Sequence, residues 1–370
     1  MQDNCSNDLF QCVFYMFIIP ILLVLGMFGS AFNLVLMSGP GFRGLTFFYL
    51  RALSLSDMVY LVFVMGYLIE IMWLGNGDIN FRAKYYLTHW DIILGNTFIT
   101  TSGYIILLLT MDRYRAICHP TRPRDATPGL YIGFALISGF LLETPKFLDS
   151  HIVNACVEVT SHNNHTLEGG ECQCGTNIAM LGTTCRYQVE EATGVIGTFP
   201  WVTYSLLINL LTKILPSTLM IVGNIKMIRR YHQVTNKIGL NRNTIKQTSK
   251  NHSKVISKRD HNLMKLLFFL GLTFFIGNFP MAFLRICIAF GYKDEPVFKE
   301  FRVLVNTLEI CFASSNFFFY CFCNVQIRRR VGFLTSISFI SAFVLGFSIP
   351  ELEKIVETKG YKYWNNIRKC

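Results

Sequence analysis

No Asp, Glu, Lys or Arg occurs from Leu9 to Phe42, Met58 to Ile69, Ile92 to Met111, Ala126 to Leu142, Ala192 to Thr212, Leu266 to Leu284 or Ile310 to Ile327. A helix needs about 20 largely apolar residues to cross a bilayer, because only a backbone hydrogen-bonded within itself survives in hydrocarbon. Allowing a charge or two at the ends, the runs predict spanning helices at about 13–38, 47–74, 89–115, 129–149, 197–228, 263–291 and 300–323. Asp57, Glu70, Lys213 and Glu309 interrupt them and are expected at or near membrane depth.

Composition agrees. Only 15% of the 370 residues are charged, against about 25% in soluble domains. That excludes a soluble enzyme. With 33 Phe, 16 Tyr and 4 Trp, the chain is too aromatic for a disordered one. The net charge of +11 is unevenly spread: Lys226 to Lys265 holds eleven basic residues and a single acid, Asp260. By the positive-inside rule this segment is cytoplasmic. The stretch before Val13 has Asp3 and Asp8 and no base, and about 150–196 has Arg186 alone, so both are expected outside. The N-terminus lacks the basic region of a cleaved signal peptide, so the first span is expected to be an uncleaved start-transfer helix.

Of the 12 Cys, six fall on the expected outer side: Cys5, Cys12, Cys156, Cys172, Cys174 and Cys185. An oxidising compartment makes them disulfide candidates, with their pairing open. Asn4-Cys5-Ser6 and Asn164-His165-Thr166 are glycosylation acceptors on that side. Cys172 and Cys174 near His162 and His165 match no tight zinc spacing, so no metal is expected. There is no Gly-rich phosphate loop, nucleophile elbow or paired carboxylate site, so neither an enzyme nor a cofactor is expected.

Polar residues inside the spans carry the functional signal. Asn33, Asp57, Ser102 and Asn316 fall at similar depths. They predict either a hydrated cluster able to hold a cation or proton, or a purely structural hydrogen-bond network. Asp112-Arg113-Tyr114 closes the apolar run of the third span, and Pro120 follows shortly. With Pro216, Pro280 and Asn316 through Tyr320 in order along the later spans, this set resembles the rhodopsin-like, or class A, G-protein-coupled receptors over about 13–332. The resemblance implies an all-α membrane protein, a seven-transmembrane helix bundle with a short membrane-parallel eighth helix, at the plasma membrane with its N-terminus extracellular. It further implies an extracellular ligand, a heterotrimeric G protein as partner, a resting salt bridge between Arg113 and Asp260, a switch around Asp112, Tyr114, Pro280, Asn316 and Tyr320, and a sodium ion near Asp57.

The chain departs from the family at several points. No Cys stands near Thr88 and His89, where the third span usually has one. The sixth-span switch reads Gly277-Asn278-Phe279-Pro280 without its Trp, the seventh motif reads Asn316-Phe317-Phe318-Phe319-Tyr320 without its Pro, and Asn224 stands where a Tyr is common. Gly95 occupies the place of the amine receptors' Asp, and Val303 to Ile327 contains no Lys, which sets amines and retinal aside. Glu70, Asp91 and Glu309, with Asp149, Glu158, Glu168, Glu171, Glu190 and Glu191 in the second outer loop, suggest an acidic mouth for a basic ligand.

Trp73-Leu74-Gly75 resembles a turn of peptide receptors, and the whole pattern is most similar to invertebrate neuropeptide receptors of the FMRFamide type. A basic or amidated neuropeptide is therefore expected, pairing its guanidinium with Glu309 or Asp91 and packing its ring against Phe279 and Phe283. Among the chain's own residues Arg285 is the competing partner for Glu309. Two alternatives are a chemosensory receptor for a small molecule and a membrane transporter. A transporter should show internal repeats and broken helices, which are not found.

The expected organisation is an extracellular N-terminus (1–12), the receptor domain (13–323), an amphipathic helix (324–332) and a C-terminal tail (333–370). Within the tail an uncharged run from Val331 to Pro350 has three readings: an eighth crossing, a segment on the inner leaflet, or a gene-model error.

Overall fold

A computed structural model describes residues 9–39, 42, 44–69, 85–119, 127–148, 150–159, 164–166, 183–191, 198–240, 247–290, 296–323 and 327. Seven of its helices are long and apolar enough to cross a membrane: α1 (Phe10–Met37), α2 (Leu45–Ile69), α3 (His89–Cys118), α4 (Pro128–Leu148), α5 (Phe199–Gln233), α6 (Asn262–Ile288) and α7 (Phe298–Cys323). Each overlaps one predicted span. The helix bearing α5 continues to Leu240 and the one bearing α6 starts at Gln247. The basic segment thus extends two helices beyond their apolar lengths.

The helices close into a bundle in which α1 packs on α2 and α7, while α3 touches α2, α4, α5 and α6. That position makes α3 the most enclosed span, with 61% of its apolar window buried. Hydroxyl side chains are tolerated in this apolar setting because they bond back to the carbonyl four residues earlier. Thr97, Thr101 and Thr110 do so on α3. Thr203, Thr218 and Thr273 do so at exposed positions facing the lipid. Pro280 removes one ladder bond inside α6. Just ahead of Pro216, the stretch Leu210–Ile214 winds as a π-helical turn, which rotates the residues around it relative to a regular helix.

Between α4 and α5 the chain adds a three-stranded antiparallel sheet to this helical fold, with β1 (Ser150–Val159) in the centre, flanked by β2 (Asn164–Thr166) and β3 (Thr183–Glu191). Its register sets Cys156 opposite Cys185. Asn4, Cys5, Glu70, Trp73, Cys172 and Cys174 lie outside the described residues. So do the expected eighth helix and tail over 324–370, apart from Ile327, and the side chains of Cys156, Asn164, Cys185 and Asp260. Met1–Cys323 forms one compact unit and Asn324–Cys370 another.

Candidate functional site

Midway through the bundle, Asp57 of α2 is fully buried. Ser102 on α3 donates to its Oδ1 at 2.7 Å, and Asn316 on α7 donates to its Oδ2 at 2.5 Å. Of the four residues expected to cluster, these three meet. Asn33 on α1 is buried but bonds to none of them: its Nδ2 and Oδ1 have no hydrogen-bond partner. Asn316 Oδ1 is likewise buried and unbonded. Buried polar atoms without partners are costly, and a group of such acceptors near a carboxylate has the chemistry of a hydrated or cation-holding site.

Nearer the sheet-bearing end lies a second centre that the sequence reading missed. Lys213, on the π-helical turn of α5, reaches Glu309 Oε1 on α7 at 2.7 Å and Asn278 Oδ1 on α6 at 2.7 Å. Tyr60 on α2 donates to Glu309 Oε2 at 3.5 Å, and Asn278 Nδ2 donates to the Phe274 carbonyl at 2.8 Å. Lys213 and Glu309 are both buried. The expectation that Glu309 awaits a ligand's cation, with Arg285 as its rival partner, is thereby corrected. An ammonium from α5 already neutralises the carboxylate, since a lone charge at this depth would be expensive. The signal was present as a Lys interrupting an apolar run three residues before Pro216. Asn278, standing where the family has an aromatic switch residue, is the hydrogen-bond bridge that ties α6 to this pair.

A third group joins α3, α4 and α6. Glu143 at the end of α4 has no exposed surface and is ion-paired with Lys146 one turn on. Thr100 on α3 donates to Glu143 Oε1 at 3.4 Å. Arg285 of α6 donates through Nη2 to Asn96 Oδ1 at 2.6 Å, while its Nη1 stands 4.0 Å from Glu143 Oε1. Glu143 and Lys146 at i, i+3 spacing were the sequence trace of this group.

Two further pocket expectations change. Phe279 and Phe283 are 57% and 55% exposed, on the same stripe of α6 as Leu272, Ile276 and Phe290. That stripe faces the lipid, because the opposite face with Phe274, Asn278, Met281 and Leu284 is the buried one. Phe283 packs edge-on against Phe301 of α7 at 6.1 Å. They are not cavity residues. Asp91, by contrast, is buried at the start of α3, facing Gly66 of α2.

At the basic end, Arg113 Nε lies 3.5 Å from Asp112 Oδ2, and both side chains are largely enclosed. Tyr114 meets His119 edge-on at 5.8 Å. Asn224 of α5 donates to the Leu267 carbonyl of α6 at 3.2 Å, joining the two helices. Tyr320 is fully buried on α7. The expected contact of Arg113 with Asp260 falls on a side chain outside the described residues.

Comparison with known proteins meets this geometry. Residues 33–325 match the family model of the seven-transmembrane receptors of the rhodopsin family. A "Probable G-protein coupled receptor" of Caenorhabditis elegans is 22% identical over 324 residues, covering 85% of this chain and 67% of the relative. A second one from that organism is 21% identical over 343 residues, covering 89% and 77%. The mesotocin receptor of Rhinella marina is 32% identical over 103 residues, or 27% of this chain and 25% of that protein. With seven spanning helices, Asp57 bonded to Ser102 and Asn316 in the core, and Asp112-Arg113-Tyr114 at the basic end of α3, the chain belongs to the rhodopsin family of seven-transmembrane receptors.

Proposed function

We propose that this receptor responds to an extracellular peptide and passes the signal to a heterotrimeric G protein. Membership of the family carries the coarser statement, that the chain is a membrane-embedded, multi-pass receptor and not an enzyme. What supports the peptide reading is the segment between α4 and α5. It folds into an antiparallel sheet and carries Glu158, Glu168, Glu171, Glu190 and Glu191 against Arg186. An acid-rich loop sequence suits a basic peptide. The likeness of part of the chain to a mesotocin receptor points the same way.

The FMRFamide-type resemblance belongs to this proposal as well. The expected pairing of the ligand's guanidinium with Glu309 drops out of it, because Lys213 already neutralises that carboxylate. In the proposed orientation the N-terminus and sheet are extracellular, with Asn4 and Asn164 glycosylated and the basic segment cytoplasmic. Cys12 is disulfide-bonded, and the register of Cys156 with Cys185 supports a cross-strand disulfide, since such opposed Cα atoms lie at about the required separation. Asp57, with the buried oxygens of Ser54 and Asn316, is proposed to hold a sodium ion in the resting state. A sequence-diverse peptide library applied to cells expressing the receptor tests the function. The expected result is a peptide-evoked G-protein signal that Arg113→Ala abolishes at equal surface expression. Solute uptake without signalling would contradict it.

A further inference from the structure

Towards the sheet-bearing end, two groups of buried charges differ in how they are paired. Lys213 and Glu309 make a one-to-one pair. Glu143 faces two cations, Lys146 and Arg285. Lys146 is ion-paired to it, and Thr100 donates to its Oε1. Arg285 Nη1 therefore finds no hydrogen-bond acceptor, although it is buried; its approach to Glu143 of 4.0 Å is too long for one. Its Nη2 is fixed by Asn96, so the guanidinium is held in place with Nη1 unspent.

Accessibility falls the same way. Glu143 has 0% side-chain exposure, whereas Lys146 keeps 13% and Arg285 16%. The acid lies behind and the cations in front, so the reachable side of the group is positive. Asp91 is also buried near this end, beside Gly66 of α2. A guanidinium nitrogen enclosed without an acceptor is costly, and a carboxylate accepting from it in a bidentate pair relieves that cost.

We propose that Arg285, with Lys146 beside it, forms a carboxylate subsite between α3, α4 and α6 that takes an acidic group of the ligand. This rests on reading the sheet-bearing end as the ligand side. A small swing of the guanidinium exchanges the long approach to Glu143 for a direct pair. The ligand then carries basic groups towards the acidic loop and a carboxylate into the bundle, supplied by a free C-terminus or by an Asp or Glu side chain.

Three probes separate these sources on the purified full-length receptor, with thermal unfolding as the readout: N-acetyl-phenylalanine, its amide, and N-acetyl-aspartic acid α-amide. At about 10 mM the two acids should raise the midpoint by roughly 2 °C, and the phenylalanine amide should not. The larger of the two acid responses assigns a terminal or a side-chain carboxylate. Arg285→Gln should abolish the response. Should that variant fail to accumulate, Arg285→Lys should need about tenfold more acid, having lost the bidentate fork. Equal shifts from acid and amide, no shift from either acid, or a shift that survives Arg285→Gln overturns the subsite. Free-acid and amidated versions of one peptide library, applied to cells, keep the two readings apart. Signals from amides alone remove the subsite and leave the peptide receptor standing. Silence from all peptides, with stabilisation by the small acids intact, removes the peptide reading alone.

Discussion

Replacing Lys213 with Met leaves Glu309 buried with the Tyr60 hydroxyl at 3.5 Å as its remaining described hydrogen-bond partner. At the 2.7 Å separation of Lys213 and Glu309, the gross attraction is about 6 kcal/mol for an effective dielectric constant near 20. Much of that is offset by the cost of burying both charges. Removing one partner strands the other, and the loss is then about 3–5 kcal/mol. Glu309→Leu should cost a similar amount by stranding the ammonium, which would keep Asn278 as its described partner. The double variant Lys213→Met/Glu309→Leu should recover most of the loss, because an apolar pair of similar volume needs no desolvation. Thermal unfolding of the purified receptor, followed with a thiol-reactive dye, measures all four proteins, since Cys118, Cys287, Cys311, Cys321 and Cys323 are free and part-buried. Two single variants as stable as the wild type, or a double variant as unstable as the sum of the singles, would refute the pairing.

Three other outcomes are expected. Replacing choline with sodium should stabilise the wild-type receptor, and Asp57→Asn should remove that dependence; a sodium response retained in the variant would leave the cluster purely structural. Asp260→Ala should raise basal G-protein signalling and Arg113→Ala lower it at equal surface expression, with unchanged basal signalling in the Asp260 variant counting against the lock. Gly103→Ala should destabilise by about 1–3 kcal/mol. Its new methyl would run into the Phe274 ring, which is itself buried and packed edge-on against Phe312 at 5.3 Å. A neutral result would mean that this ring has room to move.

The seven spans were legible because hydrocarbon imposes a harsh and local rule: about 20 residues in sequence must do without water. The core around Asp57, Ser102 and Asn316 was legible for a related reason, since buried polar side chains in lipid turn inward and meet one another. Asn33 obeyed the first half of that rule and not the second: it is buried, yet it bonds to none of the three.

Which face of a helix turns inward was not legible on α6. In water a helix shows its core by an apolar stripe, but in lipid both faces are apolar and the period is lost. Phe279 and Phe283 were therefore placed in the cavity when they face the lipid. The partners of the buried charges were equally out of reach of the sequence. Lys213 and Glu309 are 96 residues apart, and Glu143 and Arg285 lie on helices joined through α3. Their meeting depends on how α5 is rotated at the π-helical turn before Pro216 and on where α4 and α6 stand around α3. The sequence by itself determined that charges would be buried in a seven-helix membrane bundle. The tertiary structure decided which charge neutralises which, and so left Arg285 with a donor to spare, because electrostatic pairing at depth depends on distances of a few ångströms that only the packed helices set.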